Sequence, residues 1–120
     1  MSYQKPYKGL RVIDFSQGVA GPYCSMLLAQ HGAEVIKVEP KDGDWARNLG
    51  QEYGEHSAFS VAANLGKKSI IVDLKNTKSQ PILDIIVKQS DIFIEGFRPG
   101  VIKRLGYDYD RVKKINPKLN

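Results

Sequence analysis

Short apolar runs rich in β-branched residues alternate along this chain with segments in which apolar residues recur at helical spacing. The apolar runs predict strands over residues 10–15, 34–39, 69–74 and 91–95. The helical spacing predicts helices over residues 23–29, 57–64 and 77–89, followed by two short helices that end near Leu105 and Lys114. Strands that alternate with helices in this way predict an α/β fold with a parallel sheet.

For two of these helices the sequence predicts which side chains are buried, and for one of them it also predicts where the helix begins. In the helix over residues 57–64, Phe59 and Val61 are expected to face the core. In the helix over residues 77–89, Pro81 is tolerated only near the first turn, which predicts a helix start a few residues after Thr77. The apolar residues that follow are spaced to bury one face of that helix: Ile82, Leu83, Ile85 and Ile86.

Small residues connect the first strand to the first helix, over residues 16–22. Such a turn lets a ligand approach the backbone closely, and the start of the helix offers unpaired N–H groups to an anion. The second strand ends in Glu39, as in a dinucleotide-binding half, where the acid would hold a ribose hydroxyl. Gly18 and Gly21 do not have the G-x-G-x-x-G spacing, so we predict a βαβ unit of nucleotide type and not an NAD site.

A long polar connection, residues 41–55, follows the second strand and holds the only tryptophan, Trp45. Connections of this length in compact domains are usually functional or mobile. Trp45 either anchors the connection to the rest of the domain or contacts a ligand, and the sequence leaves both open.

Size and composition limit the class of protein. A chain of 120 residues with 42% hydrophobic content favours one domain with a modest core. No apolar run is long enough to cross a bilayer, and residues 1–9 are polar with no apolar signal region, so we expect a cytoplasmic protein without a membrane partner. Cys24 is the only cysteine, and we expect it to be buried on the first helix as a small apolar residue. His31 and His56 are not placed to act as metal ligands, so no metal is expected.

The net charge of +5 and the isoelectric point near 9.3 suit either a nucleic acid or a phosphorylated small molecule as partner. The basic residues are scattered among acids, and no predicted helix carries a continuous basic face. No array of aromatic residues suggests stacked bases either. We therefore expect a phosphorylated small molecule and no nucleic acid.

Several motifs then occur in a fixed order along the chain: Gly-Leu-Arg-Val-Ile-Asp at 9–14, Val-Ala-Gly-Pro at 19–22, the run at 32–40, Glu-Gly-Phe-Arg-Pro-Gly at 95–100, and Arg-Leu-Gly at 104–106. Together they resemble the class III coenzyme A transferases, a family that includes formyl-CoA and carnitine-CoA transferases and the 2-methylacyl-CoA racemases. The resemblance extends over nearly the whole chain. It implies a Rossmann-like open, mainly parallel sheet with flanking helices. Residues 1–120 would form an incomplete large domain, its amino-terminal part, with no second domain.

The resemblance also implies a coenzyme A site at the carboxyl edge of the sheet. Its residues would be Gln17, Val19, Ala20, Val72, Lys75, Gly96, Phe97, Arg98 and Arg104. Arginine binds phosphate oxygens with a two-pronged fork, which suits Arg98 and Arg104 to the phosphates of the nucleotide. Gly96 stands where many members carry asparagine, so only a backbone contact is expected there.

The same residues also have readings that need no ligand. Arg98 and Arg104 could be a surface pair on a turn, and Lys75 a lysine at a strand end whose stem covers apolar surface. Phe97 either fills the core beside Gly96 or stacks on adenine.

As an activity, the resemblance implies transfer of coenzyme A between carboxylic acids through an aspartyl anhydride, with acyl-CoA as substrate. The catalytic aspartate of the family lies beyond the region that matches Asn120, so this chain is expected to bind and position coenzyme A and to be inactive alone, as a fragment or a truncated product. Family members are homodimers of interlocked subunits, which we expect here too.

Two other functions stay open at this point. A racemase of the same family would exchange a proton beside the thioester carbonyl with an acid/base pair outside this segment. The turn over residues 16–22 is more similar to transferases than to racemases. A non-enzymatic nucleotide-binding module would also fit a chain without assigned catalytic residues.

Overall fold

The computed structural model describes residues 4–120. Its strands are β1 (Arg11–Asp14), β2 (Glu34–Glu39), β3 (Glu52–Tyr53), β4 (His56–Ser57), β5 (Lys68–Ile71) and β6 (Ile92–Ile94). Its α-helices are α1 (Ala20–Gln30), α2 (Ala58–Ala62), α3 (Gln80–Lys88), α4 (Val101–Arg104) and α5 (Tyr109–Ile115). No helix within residues 4–120 combines the length and the apolar character needed to cross a membrane.

The main sheet has four parallel strands in the order β5-β2-β1-β6. In its register Val12 of β1 lies between Val35 of β2 and Ile92 of β6. The chain builds outward from β1 to β2 and β5 and then crosses back to place β6 on the other side of β1. This reversal occurs in Rossmann-like sheets, where ligands bind outside the carboxyl ends of the strands at the point of reversal. The predicted α/β fold with an open parallel sheet and flanking helices is confirmed.

Apolar side chains cover both faces of the sheet, because successive residues of a strand point to opposite faces. Ile13 and Phe15 face α3 and α5 and pack with Leu83 and Tyr107 in one buried cluster. Val12 faces the side of α1 and belongs to a second, smaller cluster. The central strand β1 is therefore buried on both faces, as a parallel sheet requires.

The start of α3 follows from its proline. Asn76 caps a short 3₁₀ helix, Thr77–Ser79, and α3 begins at Gln80 with Pro81 in its first turn. Proline is tolerated there because an N–H group in the first turn has no partner within the helix. The predicted late start of this helix is confirmed.

The connection after β2 has structure that its polar sequence did not predict. It contains a 3₁₀ helix, Trp45–Asn48, and the two-residue strands β3 and β4, which pair antiparallel. Asp44 caps the 3₁₀ helix by accepting a hydrogen bond from the Ala46 N–H. Strands of two residues are too short to show an alternating pattern, so periodicity could not reveal this hairpin.

Predicted burial is wrong at five residues, three of them on α1 and α2. Phe59 and Val61 are 50% and 49% exposed, because the short helix α2 turns Ser60 inward as part of a capping box with Ser57. Cys24 is exposed, since α1 buries the neighbouring Ser25, which reaches the Asp14 carboxylate.

On α3 the buried face is formed by Leu83 and Val87, with Ile86 partly buried against the same cluster. Ile82 and Ile85 are 61% and 58% exposed. The four apolar residues between 82 and 86 span more of the helix circumference than the sheet and α5 can cover, so the predicted single face is wrong for these two.

Candidate functional site

The turn that follows β1 lies at the carboxyl edge of the sheet, against the chain that leaves β6. A Cβ atom built on Gly96 would lie 3.8 Å from the Ser16 Cβ, so the two segments are in contact. A Cβ atom on Gly21 would lie 2.3 Å from the same atom. Only glycine fits at position 21, because the first turn of α1 packs directly on Ser16.

Three of the predicted site residues belong to this turn. Gln17 is half-buried, whereas Val19 and Ala20 are exposed where α1 begins. Val19 occupies the N-cap position and gives the helix no side-chain cap. The first turn of a helix without such a cap presents N–H groups that can donate hydrogen bonds to an anion or to a polar ligand group.

Lys75 and Arg104 line one cavity of about 490 Å³. Leu74 and Val101 contribute apolar wall to the same cavity. Gly100 has φ +85°, and a Cβ atom there would lie 3.5 Å from an Arg104 terminal nitrogen, so the guanidinium lies close to the loop after β6. The cavity thus combines two cations with apolar surface, as a ligand with phosphates and a ring system requires.

The remaining predicted residues occupy the exits of β5 and β6. Val72 and Phe97 are half-buried and pack against the larger core cluster, while Gly96 and Arg98 are exposed. The Phe97 N–H donates to a Glu95 carboxylate oxygen at 2.9 Å. The Phe97 side chain thus contacts the core cluster, as the first of its two predicted roles requires. Stacking of Phe97 on adenine stays a prediction.

Sequence reasoning missed a set of buried charges beneath this edge. Asp14, at the end of β1, accepts from the Ser16 N–H at 2.9 Å, from the Ser16 hydroxyl, and from Ser25 Oγ at 2.5 Å. Lys67 Nζ lies 3.2 Å from the same carboxylate and also donates to Pro22 O and Asn64 Oδ1. Burial lowers the pKa of Lys67 to about 8, against the opposing effect of Asp14.

A second buried pair links β2 to the connection that follows it. Lys37 Nζ lies 2.6 Å from Asp44 Oδ2, and the two side chains are 2% and 1% exposed. A lysine within the run Val35-Ile36-Lys37-Val38 is unusual for a strand buried on both faces. That apolar context was the available signal in the sequence.

The dinucleotide pattern predicted that Glu39 would bind a ribose hydroxyl. Glu39 is instead held by hydrogen bonds within the chain and is not free to bind a ribose. Its carboxylate accepts two hydrogen bonds from Arg47, at 2.7 and 2.8 Å, and one each from the Asp44 N–H and Ser69 Oγ. Burial raises the pKa of Glu39, but Arg47 and the other donors outweigh it and bring the pKa to about 2. Glu39 is therefore a structural anion at this edge.

Among residues 4–120, no three histidine, cysteine, aspartate or glutamate side chains are grouped as ligands for a metal ion would be.

Comparison with known proteins decides the family. The sequence profile of CoA-transferase family III matches residues 7–119. The chain belongs to CoA-transferase family III. The resemblance carried by the motifs is thereby confirmed.

Named relatives in family III include two transferases. Formyl-CoA:oxalate CoA-transferase of Afipia carboxidovorans is 41% identical over 117 residues, which cover 96% of this chain and 28% of that protein. Acetyl-CoA:oxalate CoA-transferase of Acetobacter aceti is 40% identical over 115 residues, covering 95% of this chain and 30% of that protein. The family III chain thus spans less than a third of the length of these relatives.

Solved structures agree with this assignment. A CaiB/BaiF family protein from Brucella suis is 33% identical with a TM-score of 0.89, covering 98% of this chain and 32% of that one. A hypothetical protein from Mycobacterium tuberculosis is 37% identical, also with a TM-score of 0.89, covering 98% of this chain and 33% of that one. The family III fold of this segment is therefore shared closely by its relatives.

Proposed function

We propose that this chain is the coenzyme A-binding portion of a CoA-transferase and that the ligand lies along the carboxyl edge of the sheet. The observation that carries the proposal is the cavity shared by Lys75 and Arg104, which stand 29 positions apart in a family III chain. The proposed contacts are those of the nine residues Gln17, Val19, Ala20, Val72, Lys75, Gly96, Phe97, Arg98 and Arg104.

Each part of coenzyme A meets a suitable group along this edge. Lys75 and Arg104 supply positive charge for the phosphates, and charge-assisted hydrogen bonds of this kind contribute about 1.5 to 3 kcal/mol each. The apolar wall between them suits the adenine ring. The exposed start of α1 at Val19 and Ala20 offers backbone groups to the remainder of the ligand.

The reaction would move coenzyme A from one carboxylic acid to another. An aspartate carboxylate attacks the acyl thioester and forms a mixed anhydride with release of the coenzyme A thiolate. The thiolate attacks the aspartyl carbonyl, which releases the first acid, and the acceptor carboxylate then completes the exchange by the reverse steps. That aspartate lies outside these 120 residues, which form the amino-terminal part of the large domain and are inactive alone.

Transfer is favoured over racemisation because the named relatives are CoA-transferases that act with oxalate. The full-length protein would work in the cytoplasm on acyl-CoA and a carboxylic acid. A histidine placed to act beside the downstream aspartate would instead support the racemase.

Calorimetric titration of the chain with coenzyme A, dephospho-CoA, ATP and DNA tests the site. We expect coenzyme A to bind, and to bind less tightly when the 3′-phosphate is missing. Equal affinity for ATP would support a generic nucleotide-binding module, and tight salt-sensitive binding of DNA would exclude both.

The substitution Arg104→Ala is expected to weaken coenzyme A binding about 10-fold, the effect of losing one charge-assisted hydrogen bond. Lys88→Ala is the matched control, because it removes one positive charge from the exposed end of α3, before β6 and away from the cavity. Equal affinities of the two variants would contradict the proposed role of Arg104. Circular dichroism of both variants checks that the fold is kept.

Homodimer formation is part of the same proposal. Apolar side chains that the described residues leave uncovered, such as Ile82 and Ile85 of α3, support an association that would bury them. Light scattering on the eluting peak of a size-exclusion column measures the mass, and a strictly monomeric mass for the longer protein would contradict the dimer.

A further inference from the structure

One carboxylate fastens the connection after β2 to the turn after β1. Asp44 Oδ1 accepts hydrogen bonds from the Gly18 N–H at 2.8 Å and from the Ala46 N–H at 2.9 Å. Asp44 Oδ2 accepts from Lys37 Nζ at 2.6 Å. The Asp44 side chain is 1% exposed, so it touches the turn, the connection and the strand without reaching the surface.

Lys37 holds the other side of the same turn. Its Nζ donates to the Ser16 carbonyl at 3.1 Å as well as to Asp44. The Ser16 N–H is bound in turn by Asp14 at 2.9 Å. The backbone is therefore fixed by buried charges both before and after Gln17.

Trp45 adds a direct contact to this connection. Gly18 has φ +86°, and a Cβ atom there would lie 2.2 Å from the indole Cζ2 of Trp45. The ring is 55% exposed and lies over the glycine. Of the two readings of Trp45, anchoring of the connection to the domain is the one with an observed contact behind it.

Stability alone does not explain a buried ion pair here. A well-packed apolar pair is often as stable as a buried ion pair, because burial removes both charges from water. An apolar side chain at position 44 would, however, leave the Gly18 and Ala46 N–H groups without an acceptor, and burying an unpaired N–H is costly. The feature that only the carboxylate provides is one oxygen that accepts from both backbone groups and a second that accepts from the Lys37 ammonium.

We infer that Asp44 is a positioning residue for coenzyme A binding. Held by Lys37, its carboxylate sets the Gly18 turn and so places the backbone of Val19 and Ala20 where the ligand is proposed to lie. It acts through the turn and makes no contact with the ligand. The inference rests on the proposed function for the location of coenzyme A, but its claim about the turn can be measured without any ligand.

The substitution Asp44→Asn tests the inference, since it keeps the shape of the side chain but leaves one acceptor oxygen where the wild type has two. With that oxygen toward the Lys37 ammonium, the amide NH₂ faces the Gly18 and Ala46 N–H groups, which then have no acceptor. We expect the Kd for coenzyme A to rise about 10-fold. In the same variant, the backbone amide of Gly18 should lose protection from hydrogen exchange, measured by NMR, while the amide of Ile13 in β1 keeps its protection.

Asp84→Asn is the matched control. It breaks the partly buried pair with Arg111, at 2.8 Å, between α3 and α5 and away from the turn. We expect this control to leave both the Kd for coenzyme A and the protection of Gly18 within twofold (about the scatter of such measurements).

Three outcomes would overturn the inference. One is unchanged protection at Gly18 in Asp44→Asn, and another is an equal loss at Gly18 and Ile13, which would show a general loss of stability. The third is reduced Gly18 protection with unaltered affinity for coenzyme A. If wild-type chain binds no coenzyme A, the proposed function fails, whereas the Gly18 measurement still decides the claim about the turn.

Should Asp44→Asn not fold, the double substitution Asp44→Ala with Lys37→Met replaces it. This variant removes the acceptor of Gly18 and leaves no unpaired buried charge. The same two measurements apply, with a loss of protection confined to the turn as the expected result and its absence as the contradicting one.

Discussion

Glu39 shows at the scale of one residue how a strand-end acid can be structural. Its four hydrogen-bond donors come from Arg47, the Asp44 backbone and Ser69, which tie β2 to the following connection and to β5. A carboxylate held by several donors is stabilised in its charged form even though burial opposes the charge. Protonation of Glu39 should therefore weaken the junction of these elements.

Glu39 is expected to make stability depend on acid pH. Because its pKa falls from 4.5 unfolded to about 2 folded, its contribution is fully present above pH 4.5 and is lost as the pH falls through 2. Glu39→Gln should lower the free energy of unfolding by about 2 kcal/mol at neutral pH. Urea unfolding of both proteins measures the difference, which should shrink toward pH 2; a difference independent of pH would contradict this assignment.

Lys67 is expected to make stability rise with pH as well, but in the alkaline range. Its pKa is about 8 in the folded chain against 10.5 in the unfolded chain, so between these values the unfolded state holds more protons. The free energy of unfolding of the wild type, relative to Lys67→Met, should therefore rise from pH 8 to pH 10.5. Denaturant titrations across this range measure it, and a flat difference would show that Lys67 keeps its ordinary pKa.

At the scale of elements, the turn between β1 and α1 depends on the connection that packs on it. Gly18 donates to Asp44 and lies under the ring of Trp45, although 26 residues separate the aspartate from the glycine. The positive φ of Gly18 suits a residue without a Cβ, and the contact with the indole excludes any other side chain. The turn after β1 and the connection after β2 thus pack against each other at Gly18.

Gly18→Ala is expected to destabilise the chain by about 2 kcal/mol or more, since it combines backbone strain with a clash against Trp45. Gly54→Ala is the control: Gly54 also has a positive φ, of +63°, but a Cβ atom there meets nothing within 4 Å. The control should cost about 1 kcal/mol. Because Trp45 is the only tryptophan, its fluorescence reports displacement of the ring, and an unshifted spectrum in Gly18→Ala would contradict the contact.

At the scale of the whole molecule, charge is distributed unevenly between the interior and the surface. Three buried or partly buried acids, Asp14, Glu39 and Asp44, are each paired with a cation beneath the carboxyl edge. Lys75, Arg98 and Arg104 are exposed at the same edge. Because each of these pairs is neutral, the net charge of +5 lies on the other residues, where exposed cations can attract a phosphorylated ligand.

Coenzyme A binding is accordingly expected to weaken with salt. Exposed charges are screened over a Debye length of about 10 Å at 0.1 M salt, so the Kd should rise several-fold between about 50 mM and about 500 mM salt. Arg104→Ala should show a smaller salt dependence, since one of the exposed cations is absent. Calorimetry at a series of salt concentrations measures both slopes, and a Kd that does not change with salt would exclude a phosphate contact.

Much of the fold could be predicted, because particular elements have clear local signals in the sequence. Residues 34–39 form β2 as predicted, because an apolar run between Gly32 and Pro40 has clear ends. Pro81 located the start of α3 by its missing N–H. Phe59, Val61 and Cys24 were placed wrongly, since in short or partly covered helices hydrogen bonds of serine side chains decided which face turns inward.

The sequence by itself determined the order of strands and helices and the family, because periodicity, glycines, prolines and motif order act locally along the chain. Only the tertiary structure decided that Lys37 pairs with Asp44 and Arg47 with Glu39, and that Lys75 shares a cavity with Arg104. The physical reason is that no local periodicity links these partners, although the two ion pairs join residues only 7 and 8 positions apart. These contacts depend on where the parallel strands end in space, and the energy of a buried charge depends on the partner that folding brings to it.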